Sequence, residues 1–435
     1  MAEIVIIGAG LTGLSTAYHL EKLGYTQYKI FEKEPEVGGL CRSVYQDGFT
    51  FDYTGHLLHI NDPYFKQFIT EIAGLDAFNS INRRSYIYSQ DTYTRYPFQV
   101  NLYGLPAATI AECIEGFVNR PRSKKVPQNF RDWVLTNFGS GIAQHFFYPY
   151  QKKIFDYPVE KLSSSWTGRF VPQTSLAEMI SGALCPLPEQ QIGYNAQFFY
   201  PKHDGIYFWI KKLHAHLKQP VQVQKKVIQV DLREKRVIFD DGSCERYTTL
   251  INTMPLNTFL SLLTEHSSTH LSAQATKLLC NSVVNFNLGI AREQLSDKHW
   301  IYYPEERYPF YRIGFSHNFS HSMAPPGHSS LYGEFSHLQR PMASVAQMLD
   351  TALIQTKKVL QIADEEIVTQ RIITIPHAYV IFNRWRDKNL PTLLHRLQEQ
   401  HVHSVGRYGG WKYSSMQEGL LEGKELAKEL VDGIL

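Results

Sequence analysis

No apolar stretch in the 435 residues approaches the ~20 residues that a helix needs to cross a bilayer, which excludes a helical membrane span. Cysteine is scarce. Its five copies (Cys41, Cys113, Cys185, Cys244, Cys280) are scattered and never in CxxC spacing. That excludes a disulfide framework and a zinc site, and it points to a reducing, cytoplasmic setting. Charge of one sign is lacking too. With 44 Lys and Arg against 41 Asp and Glu, the chain has no field to draw nucleic acid or a membrane surface, and local arginines are left as the anion binders. Repeats, low-complexity tracts and long linkers are absent. A strand pattern starts at Ile4, so no cleavable leader is expected.

Aromatic residues, by contrast, make up 13% of the chain, with 26 Tyr and 25 Phe. That content suits a large ring-lined pocket or a tyrosine-rich core. The length exceeds one simple core and predicts two or three domains. The most informative segment comes first. Ile4-Val5-Ile6-Ile7 reads as a strand running into Gly8-Ala9-Gly10-Leu11-Thr12-Gly13, then a helical stretch to Gly24. A second strand, Tyr28-Lys29-Ile30-Phe31, ends in Glu32. Strand, glycine turn, helix and acid-terminated strand form the arrangement that holds a dinucleotide. Gly8 permits the sharp turn, Gly10 lets backbone approach the diphosphate, and Gly13 lets the helix pack on the sheet. The helix start offers N–H groups and its dipole to the phosphates. Glu32, about 20 residues past the turn, accepts from ribose hydroxyls.

A second diglycine follows in Glu36-Val37-Gly38-Gly39-Leu40-Cys41-Arg42. A plain nicotinamide domain has no use for it. It brings another loop onto the diphosphate, with Arg42 neutralising charge, so FAD is the expected cofactor.

The fold class expected is α/β: a discontinuous Rossmann-like FAD-binding domain with a helical insertion and a second mixed or antiparallel sheet domain. The expected boundaries are 1–75, 196–260 and 396–435 for the FAD domain, 76–195 for the helical substrate domain, and 261–395 for the sheet domain. Pro106 to Phe117 and Phe130 to Phe147 read as helices. The alternating runs from Val221 and from Arg236 read as a hairpin, and Leu250 to Leu256 reads as a buried strand. Further strands are read at Val283, Trp300, Phe310 and Ser330, and a final amphipathic helix from about Ser415 to Val431.

Five segments carry a family likeness. They are Phe51 to His59 (FDYTGHLLH), Tyr96 to Asn101 (YPFQVN), Trp300 to Arg312 (WIYYPEERYPFYR), Tyr379, and Gly406 to Tyr413 (GRYGGWKY). In chain order they resemble the UDP-galactopyranose mutases, especially their eukaryotic branch, within the flavin amine oxidase and protoporphyrinogen oxidase superfamily. The resemblance implies a Rossmann-like FAD domain, a helical domain and a mixed six-stranded sheet. It also implies a flavin-dependent isomerase that interconverts pyranose and furanose forms of a nucleotide sugar. Reduced flavin acts there as a nucleophile through N5, and NAD(P)H is a candidate reductant.

Carried over residue by residue, the resemblance makes His56, Arg312 and Tyr302 catalytic. Arg312 would neutralise the departing diphosphate, and His56 would sit beside the flavin, with His59 in the same loop. Substrate would meet Tyr96, Phe98, Gln99, Gln151, Phe155, Arg169 and Tyr379. The cofactor would meet Gly8, Gly10, Leu11, Thr12, Gly13, Glu32, Lys33, Gly39, Leu40, Arg42, Gly55, His56, Val227, Gly406, Arg407, Tyr413, Ser415 and Met416. No metal is expected. The expected partner is a small molecule, neither nucleic acid nor an integral membrane contact, and a homo-oligomer is left open.

Departures from the family cluster around the nucleotide. Tyr148 to Phe155 (YPYQKKIF) stands where the family reads RPYNFKVW. Phe170, beside Arg169, takes the place of a second diphosphate arginine. Thr54 replaces a glycine, Asp204-Gly205 a diglycine, and Ile373 an arginine. The alternative reading is an FAD-dependent oxidoreductase removing hydride from an amine or carbon substrate. A third is a flavoprotein whose nucleotide site has become a binding module.

Overall fold

A computed structural model describes residues 4–122, 127–168, 171–187, 196–264 and 269–434. Its nucleotide sheet has five parallel strands in the order Val402–Ser404, Thr249–Asn252, Ile4–Ile7, Tyr28–Phe31, Val221–Gln222. The central strand is a pure apolar run because both of its faces are covered. Ile4 and Ile6 share a core with Leu14, Ala17 and Leu20 of the helix Leu11–Lys22. Val5 and Ile7 lie on the other side with Val227, Leu250 and Val402. The long helix Met416–Ile434 crosses Leu11–Lys22 closely, and Ser15 Oγ donates to Leu420 O at 2.7 Å.

The hairpin expected from Val221 divides in two. Val221–Gln222 joins the nucleotide sheet, whereas Val227–Asp231 pairs with Arg236–Phe239, and that strand with Cys244–Arg246, in an antiparallel meander.

The second sheet has seven strands, one more than the family pattern implied. Its order is Ile367–Ile375, Ser282–Ile290, Ser329–His337, Arg312–Phe315, Trp300–Tyr302, Ser85–Ser89, Thr92–Arg95. Every neighbouring pair is antiparallel except Trp300–Tyr302 with Ser85–Ser89. Residues 78–95, expected within a helical stretch, are strands instead. Phe78–Asn82 pairs with Gln197–Pro201, and the two strands after it extend the large sheet.

Side chains on this sheet alternate between two environments, as the period of two requires. Val284, Phe286, Leu288, Ile313, Leu331 and Phe335 pack with Val345 and Ala352 of the helix Met342–Leu360. The opposite parity carries Asn285, Arg312, Tyr332 and Glu334. Helices Ala107–Val118, Phe130–Ile142, Tyr148–Phe155 and Leu176–Leu184 form the helical part. Among the described residues no helix is long and apolar enough to cross a membrane.

Candidate active site

The two glycine loops meet backbone to backbone. Gly8 has φ +95°, and a Cβ there would lie 2.4 Å from Thr253 Oγ1. Gly38 N donates to Ala9 O at 2.8 Å. A Cβ on Gly39 would approach Gly10 Cα to 3.3 Å, so the surface where they touch is bare of side chains. Gly13 works underneath, since its Cβ would fall 2.0 Å from Gly8 O; only glycine lets this helix pack so close to the turn. Glu32 is pinned at the strand end. Its carboxylate accepts from Ala9 N at 2.9 Å and from Glu34 N at 3.0 Å.

Arg42 donates from Nε to Gly39 O at 3.0 Å and lies 5.1 Å from the Tyr53 ring. Across the cleft, Arg407 donates to Ser414 O at 3.0 Å and Ala378 O at 3.2 Å, and it faces the Tyr413 ring at 4.9 Å. Ser415 and Glu418 cap the start of the last helix reciprocally, with Ser415 N donating to Glu418 Oε2 at 2.7 Å and Glu418 N to Ser415 Oγ at 3.3 Å. Leu11, Thr12, Lys33, Leu40, Gly55, Val227, Gly406, Tyr413, Ser415 and Met416 line the same cleft.

That cleft, of roughly 850 Å³, continues without a break to Trp300, Tyr302, Tyr311, Arg312 and Tyr379 of the large sheet and its loops. Strand register places the polar groups. Tyr302 opposes Arg312, Arg312 opposes Glu334, and Glu334 opposes Asn285. Arg312 donates from Nε and Nη2 to the Glu334 carboxylate at 3.0 and 2.8 Å, and Glu334 is fully buried. Burial opposes the charge of Arg312, yet the Glu334 carboxylate holds it well above its ordinary value. Burial raises Tyr302 and pushes Tyr379 up to about 12, so both phenols stay protonated donors.

His56 also lines the cleft. Burial first, then the charges of Arg407 and Arg312, push it down to about 4, so its ring is neutral near pH 7. Its Nδ1 is buried without a hydrogen-bond partner. The loop is anchored from the sheet. Asn285 Nδ2 donates to Asp52 O at 3.0 Å, and Gly55 leaves room for the Tyr332 hydroxyl, which a Cβ would approach to 2.3 Å.

Other candidates stand back from this cleft. Tyr96 is half-buried with its ring 5.2 Å from Tyr302. Phe98 lies in the core, stacked on Phe146 at 5.2 Å, and Gln99 Nε2 donates to Pro172 O at 2.6 Å. Phe155 meets Tyr379 edge-on at 6.1 Å, and Gln151 Oε1 is buried with no partner. Arg169 and Phe170 lie outside the described residues. Among the described residues no group of His, Cys, Asp and Glu is arranged to hold a metal. The sequence reading missed Glu334, Asn285, Tyr311 and Tyr332. One signal was available: Glu334 is an acid inside an otherwise apolar, alternating strand.

Comparisons with known proteins agree with this geometry. A family described as NAD(P)-binding Rossmann-like domain matches residues 6–72. A crystal structure of reduced UDP-galactopyranose mutase superposes with a TM-score of 0.92 at 26% identity, covering 99% of this chain and 94% of that one. Over nearly its whole length the chain is similar in fold to UDP-galactopyranose mutase. A protoporphyrinogen oxidase-like protein from Exiguobacterium sp. 255-15 gives 0.77 at 14% identity, with 98% of each chain covered. Putrescine oxidase bound to putrescine gives 0.65 at 13%, with 99% of each covered; these two show the fold alone. In sequence, 61 residues are 43% identical to a 4,4'-diapophytoene desaturase of Staphylococcus haemolyticus (strain JCSC1435). Another 86-residue match is 34% identical to that of Staphylococcus aureus (strain COL). These cover 14% and 20% of this chain but only 12% and 17% of the desaturases. The chain is thus a dinucleotide-binding protein of flavoenzyme fold.

Proposed function

We propose that this chain is an FAD-dependent mutase acting on a nucleotide-linked sugar and interconverting its pyranose and furanose forms. The observation that carries the reading is the single cleft, with paired glycine loops and Glu32 at one end and Tyr302, Arg312 and Tyr379 at the other. The cradle suits FAD. Gly10 and Gly39 leave backbone open to a diphosphate, Glu32 is set to accept from ribose hydroxyls, and Arg42 and Arg407 supply positive charge. When bound and reduced, FAD would supply the nucleophile for the sugar's anomeric carbon. Tyr302 and Tyr379, kept protonated by burial, donate hydrogen bonds to phosphate oxygens, and Arg312 meets them as a fixed fork. Neutral His56 can donate or accept beside the reacting centre. The superposition on reduced UDP-galactopyranose mutase supports the assignment.

One feature favours the oxidoreductase alternative. The Arg312–Glu334 pair is neutral as a unit, a weaker clamp for an anion than a lone arginine. The two readings separate by assay. Dithionite-reduced protein is expected to convert UDP-galactopyranose or a related nucleotide sugar to its furanose form, detected by chromatography, and oxidised protein is not. No conversion across a panel of nucleotide sugars sinks the mutase reading. Substrate-dependent oxygen uptake with peroxide formation establishes the other.

A further inference from the structure

Tyr311 lines the cleft together with Arg312 and Tyr379. It is 1% exposed, and its hydroxyl is buried with no hydrogen-bond partner among the described residues. A buried hydroxyl left unbonded destabilises a fold. It points to a state of the molecule in which the bond is made.

Packing holds the Tyr311 ring in place. Tyr150 and Tyr379 meet it edge-on, each at 6.4 Å and at angles of 82° and 72°. Its backbone is tied to the large sheet, with Tyr311 N donating to Glu334 O and Tyr303 N to Tyr311 O, both at 2.9 Å. Tyr379 is tied as well. Its N donates to Asn281 Oδ1 at 2.9 Å, and Asn281 N donates to Tyr379 O at 3.1 Å. Two phenols are thus held side by side by fixed backbone.

They differ in what they can reach. Tyr379 is half-buried at the cleft wall, whereas Tyr311 is sealed from solvent. Burial raises Tyr311 well above the ordinary phenol range, and the Glu334 carboxylate and then the Tyr379 phenol add to that, so it stays a donor. A phenol that donates its O–H to a phosphate oxygen still has lone pairs to accept with, and a bond received there strengthens the bond given.

We propose that Tyr311 is a positioning residue: when Tyr379 donates to a diphosphate oxygen, the Tyr311 hydroxyl donates to the Tyr379 oxygen and so points the Tyr379 O–H into the cleft. This rests on the mutase reading above, which makes Tyr379 a phosphate donor. The chain of donors is completed only with ligand present, and it acts on the phosphate and not on the base.

The test is calorimetric titration of oxidised, flavin-loaded protein with UDP, ADP, GDP and CDP and with the matching nucleosides. Wild type is compared with Tyr311→Phe, Tyr379→Phe and the double variant; phenylalanine keeps each ring and removes only the hydroxyl. Tyr311→Phe is expected to weaken the tightest diphosphate about three- to tenfold, as loss of a neutral hydrogen bond does, with nucleoside affinity unchanged. The double variant should match Tyr379→Phe alone within about twofold, because the two hydroxyls act through one bond. Without nucleotide, Tyr311→Phe should melt at or above the wild-type temperature, since it discards an unbonded hydroxyl. Unchanged diphosphate binding by Tyr311→Phe overturns the proposal, and so do additive losses, which mark a separate contact. A lowered midpoint without nucleotide, or equal loss of nucleoside and diphosphate, overturns it too, since either marks a structural hydroxyl. Each of these outcomes leaves the mutase reading standing. A Tyr379→Phe variant that binds diphosphate as wild type does removes the donor and this inference with it. A wild type that binds none of the diphosphates overturns the mutase reading and the inference together.

Discussion

At Arg312 the guanidinium and the fully buried Glu334 carboxylate are held as a bidentate pair, so removing one partner strands the other. Arg312→Ala is expected to cost about 3–5 kcal/mol, seen as a lowered thermal midpoint. Adding Glu334→Leu should recover much of that loss. Neither variant should show a thermal shift with nucleotide sugars, and both should keep the bound yellow cofactor, read by absorbance. A single Arg312→Ala variant that retains wild-type stability would show that the pair does not exist in solution. Arg312 was visible in the sequence because an arginine among aromatic residues is conspicuous. Its acid was not, because the pairing depends on the register of two separate strands. Phe98 shows the reverse. A motif suggested substrate contact, but packing against Phe146 decides its place.

Among the elements, the first and last helices have the least room to change. A Cβ on Gly423 would come within 2.8 Å of the Ser15 side chain and of Thr12 O. Gly423→Val should therefore destabilise by about 1–3 kcal/mol through overpacking, measured by urea unfolding, and should loosen the flavin, measured by its release. A variant with unchanged midpoint and unchanged flavin retention would refute this. Ser415→Ala removes a cap that holds the start of the same helix against the cleft, and a loss of about 1 kcal/mol is expected.

Elements with strong local chemistry were readable: the glycine turn, the Pro106 and Phe130 helices, and the apolar strands. Ser85–Ser89 and Thr92–Arg95 were not, because they are short, and their hairpin enters the sheet only where Ser85–Ser89 pairs with Trp300–Tyr302 far along the chain. Ile367–Ile375 was hidden likewise as an edge strand whose buried residues are interrupted by exposed ones.

For the whole molecule, the buried ionisable groups set an acid limit. Burial pushes His19 and His56 down to about 4 and His299 to about 3. The unfolded chain takes up these protons near pH 6.5 and the folded chain only near 4 or below. Their contribution is thus present above about pH 6.5 and lost as pH falls through that window. Asp52 has the opposite sign. Burial raises it to about 6, so its contribution is present in acid and lost as pH rises through 6. Three groups outweigh one, and the urea midpoint should fall between pH 7 and pH 4.5. A midpoint that holds or rises would contradict this burial.

The order of strands in the nucleotide sheet also dictates when this protein can mature. Ile4–Ile7 sits between Tyr28–Phe31 and Thr249–Asn252, and Val402–Ser404 closes the edge. On the ribosome the glycine turn therefore emerges early, with one flanking strand still unmade and its apolar face open to solvent or chaperones. Stalled chains ending before residue 402 should hold no flavin, whereas release of the full chain should be followed by cofactor capture as a late step of synthesis.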